Sequence, residues 1–147
     1  MKIREVMSQN PTCCVPHDSA QAVAKILRDR NIGSMPVVAD QQSRKLIGMI
    51  TDRDLCCSVV AGGLDPKTTQ IEKFIKPAPI TCREGENVEA CERRMQEHQV
   101  RRIPVVDAEE CVIGIVAQAD LALRDKPERV SKTVAEISKT DRSAIAS

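Results

Sequence analysis

Apolar residues fall along this chain in short bursts whose spacing alternates between strand-like and helix-like. Residues 12–15 form a short apolar stretch closed by Pro16. Ala20, Val23, Ala24 and Leu27 then recur at i, i+3, i+4 and i+7, the signature of one helical face. Asp18 or Ser19 can cap that helix, with Gln21 three residues after Asp18 in capping-box fashion, and Gly33 fits a C-terminal stop. Residues 35–39 and 46–50 are short and nearly all apolar, as buried strands are, and the polar stretch 40–45 joins them. A second helix is predicted from Asp52 to about Ala61, ended by Gly62-Gly63.

The same order then returns. Residues 80–83 read as a strand, and Asn87 opens a helix with Val88, Cys91 and Met95 on its inner face. Residues 103–107 and 112–116 read as strands, and 118–124 as a helix. Each set follows a short amphipathic lead: Ile3, Val6 and Met7 in the first, Ile71, Phe74 and Ile75 in the second. The stretch 64–69 is a linker turning at Asp65-Pro66. After Lys126-Pro127 the tail is polar, with Val130, Val134 and Ile137 as the stripe of a short helix and 140–147 expected to fray.

The two sets are one pattern written twice. Residues 3–38 realign on 71–106 at an offset of 68: Pro11 meets Pro79, Cys14 meets Cys82, and Pro36-Val37-Val38 meets Pro104-Val105-Val106. A shorter second loop changes the offset to 66, so that Ile47-Gly48 meets Ile113-Gly114 and Asp54-Leu55 meets Asp120-Leu121. Two repeats of this length are not a solenoid. They predict an α/β (α+β) chain of two β-α-β-β-α motifs about a pseudo-twofold axis, spanning 1–66 and 67–126, with a tail at 127–147. Two related clefts are expected from such packing. Modules this small are marginal alone, which favours a shared core.

Composition narrows the function. With 22 Lys+Arg against 21 Asp+Glu, the formal charge of +1 provides no field for nucleic acid or an anionic membrane. One Phe, no Tyr and no Trp argue against base-stacking platforms. The N-terminus is charged from the start and no apolar run reaches membrane-spanning length, so a soluble, cytoplasmic protein is expected. Seven cysteines without a C-x-x-C pair read as packing thiols of a reducing compartment, with a redox switch as the sharper alternative. His17 and His98 have no ligand spacing to a cysteine, so no metal site is expected. Neither a Ser-His-Asp order nor a Gly-rich phosphate loop is present, and an enzyme is not expected.

Pro-Val-Val on the second strand and Gly-h-h-[Ser/Thr]-x-x-Asp closing the third (h apolar) resemble the CBS domain. Residues 48–54 fit that ending in full; 114–120 fit it except at the hydroxyl, where Ala117 stands. The resemblance covers about 3–124. The chain is similar to stand-alone tandem CBS pairs (Bateman modules), in particular the small bacterial hypoxic-response type, through Thr51-Asp52-Arg53-Asp54 and His98-Gln99-Val100-Arg101-Arg102-Ile103-Pro104. The resemblance implies a non-catalytic homodimer that regulates an unidentified protein target. It requires no cofactor and binds AMP, ADP, ATP, S-adenosylmethionine or NAD as a regulatory ligand.

An adenosine nucleotide presents a flat base, a ribose diol and an anionic tail. A carboxylate can accept from both ribose hydroxyls, and the resemblance assigns this role to Asp54 and Asp120. The competing role is helix capping, because Thr51-x-x-Asp54 also starts a helix; Asp120, lacking a capping hydroxyl three residues earlier, fits that role less well. By resemblance Thr51 and Thr81 contact ribose or phosphate, with Cys13 in place of Thr81 in the first repeat. Arg101 and Arg102 stand at phosphate-contact positions, and Arg53 adds charge at the cleft mouth. Base contacts are expected near Ile32, Met35, Val100, Ile103, Thr12 and Ile80. Degenerate clefts on a ligand-free homodimeric scaffold are the alternative, motivated by Ala117 and Cys13.

Overall fold

The structure, a computed structural model, describes residues 1–77, 80–124 and 127–146. Pro79, the counterpart of Pro11, and the expected boundary at Lys126 lie outside the described residues. In chain order the elements are α1 (Ile3–Val6), β1 (Ser8–Gln9), α2 (Ala20–Arg30), β2 (Ser34–Val38), β3 (Leu46–Thr51) and α3 (Asp52–Asp54). The last runs into a π-helical stretch, Leu55–Val60. A 3₁₀ turn (Ile71–Phe74), α4 (Val88–His98), β4 (Arg102–Val106), β5 (Val112–Ala117), α5 (Gln118–Arg124) and α6 (Pro127–Ala146) follow.

The chain forms two compact units, and they are interleaved in sequence. One joins the body of the first repeat to the lead of the second and to Ala108–Val112; the other joins the body of the second repeat to the N-terminal lead and the tail. The compact units therefore do not follow the 66/67 boundary between the sequence repeats. Backbone pairing explains the exchange of leads. Ser8 pairs with Ile115, seating α1 and β1 in the second unit, and Lys76 bridges to Met49, seating the other lead in the first. Each lead also buries its apolar anchor: Ile3 and Ile71 are both 0% exposed.

In the first unit β2 and β3 pair antiparallel, with Ser34 opposite Thr51 and Met35 opposite Ile50. Val23 and Leu27 of α2 pack on them, with Leu55 and Val59 from the α3 side. In the second unit the strand order is β1-β5-β4. Cys91 and Met95 of α4 face it, joined by Leu121 and Ile137.

Several sequence expectations are corrected. The opening strand of each repeat contracts to a single parallel bridge, Cys14 to Val37 and Cys82 to Val105. Cys14 N donates to Pro36 O and Val38 N donates to Cys14 O; the bonds of Cys82 with Pro104 and Val106 repeat this at the same offset. Prolines at 11 and 16 lack the N–H that a longer ladder needs. Helix α2 is capped by Ser19, whose Oγ accepts from Ala22 N at 3.1 Å, while Asp18 instead accepts from Val15 N. The helix stops at Asn31, not Gly33, because Asn31 takes a left-handed conformation (φ 52°) and turns the chain. Gln99 does the same at the end of α4 (φ 53°). The second helix of the first repeat is π-wound, with Ala61 N donating to Cys56 O five residues back. The tail helix is long: α6 carries on through the stretch expected to fray.

Candidate functional site

The junction of β3 and α3 carries the first candidate carboxylate. Thr51 is extended (φ −121°, ψ 162°) and acts as N-cap. Its Oγ1 accepts from Asp54 N at 3.0 Å, and its own N–H donates to Asp54 Oδ2 at 3.0 Å. Asp52 N donates to Gly33 O at 2.9 Å, tying the junction to the entry of β2. Asp54 is thereby held at 6% exposure. Its other oxygen, Oδ1, lies 2.9 Å from Lys76 Nζ, on a side chain that is itself 74% exposed.

The neighbouring lead places that lysine. Met49 N donates to Lys76 O at 2.9 Å and Lys76 N to Met49 O at 3.3 Å. Gly48 permits this approach, since a Cβ there would stand 2.2 Å from Lys76 O. Lead and helix enclose a cleft of about 310 Å³ lined by Arg53, Asp54, Cys57, Ser58, Lys73, Phe74, Ile75 and Lys76.

The second unit repeats the junction with fewer groups. Ala117 has no hydroxyl, yet its N–H donates to Asp120 Oδ2 at 2.8 Å. Gln118 N donates to Arg101 O at 2.8 Å, the counterpart of the Asp52–Gly33 bond. The capping role, which suits Asp120 less well for want of that hydroxyl, thus survives in one half, with the Asp120 carboxylate accepting from the Ala117 N–H.

The structure brings Asp54, Thr51 and Arg53 together around one junction, and Asp120 with the Arg101 backbone around the other. Arg102 opens β4, half-buried. Thr81 is half-buried and its carbonyl accepts from Arg94 Nη1 at 3.1 Å. Ile32, Val100 and Ile80 are partly buried against their unit's core, and Thr12 is half-buried. Met35 and Ile103 are 0% exposed. Both side chains pack in the core of their own unit.

Lys76, Lys73, Phe74 and Ser58 line the cleft and were not expected from sequence. The signal was present in the second lead, where Lys73 and Lys76 flank Phe74-Ile75, but the lead reads first as an apolar anchor.

Of the cysteines, Cys13, Cys14, Cys82 and Cys91 are buried, Cys111 is half-buried, and Cys56 and Cys57 are exposed. Burial pushes the Cys14 thiol up to about 12. A hydrogen bond with Cys91 draws Cys82 below its ordinary value despite burial, helped by Arg94, whose Nη1 lies 3.2 Å from the sulfur. Among the described residues no three His, Cys, Asp or Glu side chains cluster as a cation site. No described helix is long and apolar enough to cross a membrane.

The repeated bridge, left-handed cap and Asp-bearing junction coincide with a family model described as the CBS domain, which matches residues 3–60 and again 71–125. The chain belongs to the CBS-domain family. This CBS pair is 35% identical to Hypoxic response protein 1 of Mycobacterium tuberculosis over 125 residues, 85% of each chain. It superposes on the crystal structure of Hypoxic Response Protein I with two coordinated zinc ions at a TM-score of 0.75 and 32% identity, covering 86% of this chain and 100% of that one. It also matches the CBS domain pair of protein MJ0100 in complex with 5′-methylthioadenosine and S-adenosyl-L-methionine, at TM-score 0.73 and 29% identity, covering 84% of this chain and 94% of that one.

Proposed function

We propose that this CBS pair is a non-catalytic regulatory module that binds an adenosine-containing small molecule, AMP, ADP or ATP ahead of S-adenosylmethionine or NAD. It acts as a cytoplasmic homodimer, passing the binding event to a protein target and engaging neither nucleic acid nor membrane. The observation that carries this reading is the Asp54 carboxylate, 6% exposed, at the edge of a cleft walled by Phe74 and Ile75. Asp54 accepts the ribose hydroxyls, with Thr51 beside it. Asp120 has the corresponding role in the second repeat, with Thr81, and with Arg101 and Arg102 taking phosphate. Thr12, Ile32, Ile80 and Val100, each partly exposed, supply contacts to the base. The relative MJ0100, whose CBS pair is bound to two adenosine compounds, supports the ligand class. Regulation follows if the ligand prefers one of two states of the dimer.

A thermal-shift panel of adenosine compounds tests this. A ligand at 100-fold over its Kd stabilises the native state by about 2.7 kcal/mol, a rise of roughly 5–11 °C for a chain of this length. No shift with any compound at millimolar concentration overturns the proposal.

A second reading, a ligand-free homodimeric scaffold, is favoured by one observation. Oδ2 of Asp54 and Oδ2 of Asp120 are each engaged by the backbone at a helix start. On that reading Asp54→Ala leaves partner binding intact and no adenosine compound binds.

A further inference from the structure

The cleft beside Asp54 is lined by three cations, Arg53, Lys73 and Lys76, and by a single acid. The offsets that superpose the repeats place Ala119, Glu5 and Ser8 at the positions of those cations. Backbone pairing supports the last correspondence, because Ser8 faces Ile115 as Lys76 faces Met49. Ser58 is the one position where the second repeat gains charge, as Arg124. Counting Asp54 and Asp120, the net charge of these positions is about +2 in the first-repeat unit and about −1 in the other.

The tie between Lys76 and Asp54 is open to solvent on the lysine side. Lys76 Nζ is 2.9 Å from Asp54 Oδ1, yet the lysine side chain is 74% exposed. A pair so open to water is held weakly and exchanges partners readily. Asp54, at 6% exposure, is costly to leave without a hydrogen-bond donor.

Resting on the adenosine-binding reading above, we infer that the first-repeat cleft is selective for phosphorylated adenosine ligands, with Lys76 acting as a switch between two anions. Without ligand, Lys76 neutralises Asp54. With ligand, the ribose hydroxyls donate to Asp54 Oδ1, and Lys76 swings to the phosphate alongside Lys73 and Arg53. Phe74 and Ile75 offer the apolar face for the base. Neutral nucleosides must displace Lys76 without giving it a new partner, and a cationic sulfonium ligand meets three like charges.

Isothermal titration of adenosine, AMP and ADP into the full-length protein tests this, with Lys73→Gln and Lys76→Gln as variants. Both side chains are solvent-exposed, and circular dichroism checks that the variants fold. In the wild type, affinity rises from adenosine to AMP to ADP, and the gain shrinks with added salt. Lys73→Gln weakens AMP roughly tenfold and leaves adenosine unchanged. Lys76→Gln moves the two ligands in opposite directions, tightening adenosine and weakening AMP. If adenosine binds as tightly as AMP and ADP, or if the variants leave AMP affinity unchanged, the inference is overturned while the adenosine-binding reading stands. If none of the three binds, that reading falls and the inference falls with it.

Discussion

Thr51 and Asp54 hold each other by two hydrogen bonds of 3.0 Å, one in each direction across the junction of β3 and α3. Asp54 stands at the edge of the cleft, so a group that shapes the site also helps to start the helix. Thr51→Ala removes only the hydroxyl half of the exchange and reproduces the arrangement that the second repeat already has at Ala117. Urea denaturation is expected to show a loss of about 1 kcal/mol, with an unchanged m-value.

Gly48 and Gly114 occupy the same motif position but differ in what surrounds them. A Cβ at Gly48 meets Lys76 O at 2.2 Å, which is backbone; at Gly114 the nearest atom is Met7 Sδ at 2.6 Å, on a flexible side chain. Gly48→Ala is expected to destabilise by about 3 kcal/mol and Gly114→Ala by about 1 kcal/mol. Thermal melts of the two variants check the order, and equal losses would contradict it.

Asn31 and Gln99 both take left-handed backbone conformations, φ 52° and 53°. Asparagine tolerates this region better than glutamine. Gln99→Gly is therefore expected to stabilise the fold by roughly 0.5–1 kcal/mol, and Asn31→Gly by less. Chemical denaturation of both variants measures the difference.

Arg94 makes two 2.7 Å bonds to Glu86. The Arg94 side-chain hydrogen bonds hold the Glu86 carboxyl below its usual range. A group whose folded pKa is depressed stabilises above its unfolded pKa, and the contribution is lost as pH falls through the folded pKa. The window therefore lies at and below about pH 4.5, the ordinary carboxylate value. Arg94→Met is expected to cost roughly 1–2 kcal/mol at pH 7 and to flatten the acid limb of the stability profile there.

Native alkylation separates the thiols. Cys56 and Cys57 are exposed, whereas Cys14, Cys82 and Cys91 are buried. With a maleimide, Cys56 and Cys57 are expected to label first, and the buried three only on unfolding. Fast labelling of Cys82 would instead support the redox alternative.

The repeat was legible because its apolar anchors sit at fixed offsets, and the structure reproduces the bridges of Cys14 and Cys82 at the same spacing. The Asp54 junction was legible for the same reason, since its motif lies within seven residues. The opening strands were overread: an apolar run of four carries no information about how many ladder bonds it makes. Gly33 fits a helix stop by composition, but the chain turns two residues earlier, where Asn31 takes the left-handed conformation and its N–H bonds back to the last turn. Lys73 and Lys76 were not legible because they join Asp54 in the cleft across a long loop, through a bridge between Met49 and Lys76 that no local pattern encodes.

The central claim is that Asp54 anchors an adenosine ligand. Calorimetric titration of AMP into the wild type and Asp54→Ala, after circular dichroism confirms that the variant is folded, tests it most directly. The account predicts saturable binding to the wild type and a loss of roughly tenfold or more in the variant. Binding of AMP to Asp54→Ala with undiminished affinity, or no binding to the wild type at millimolar AMP, would contradict it.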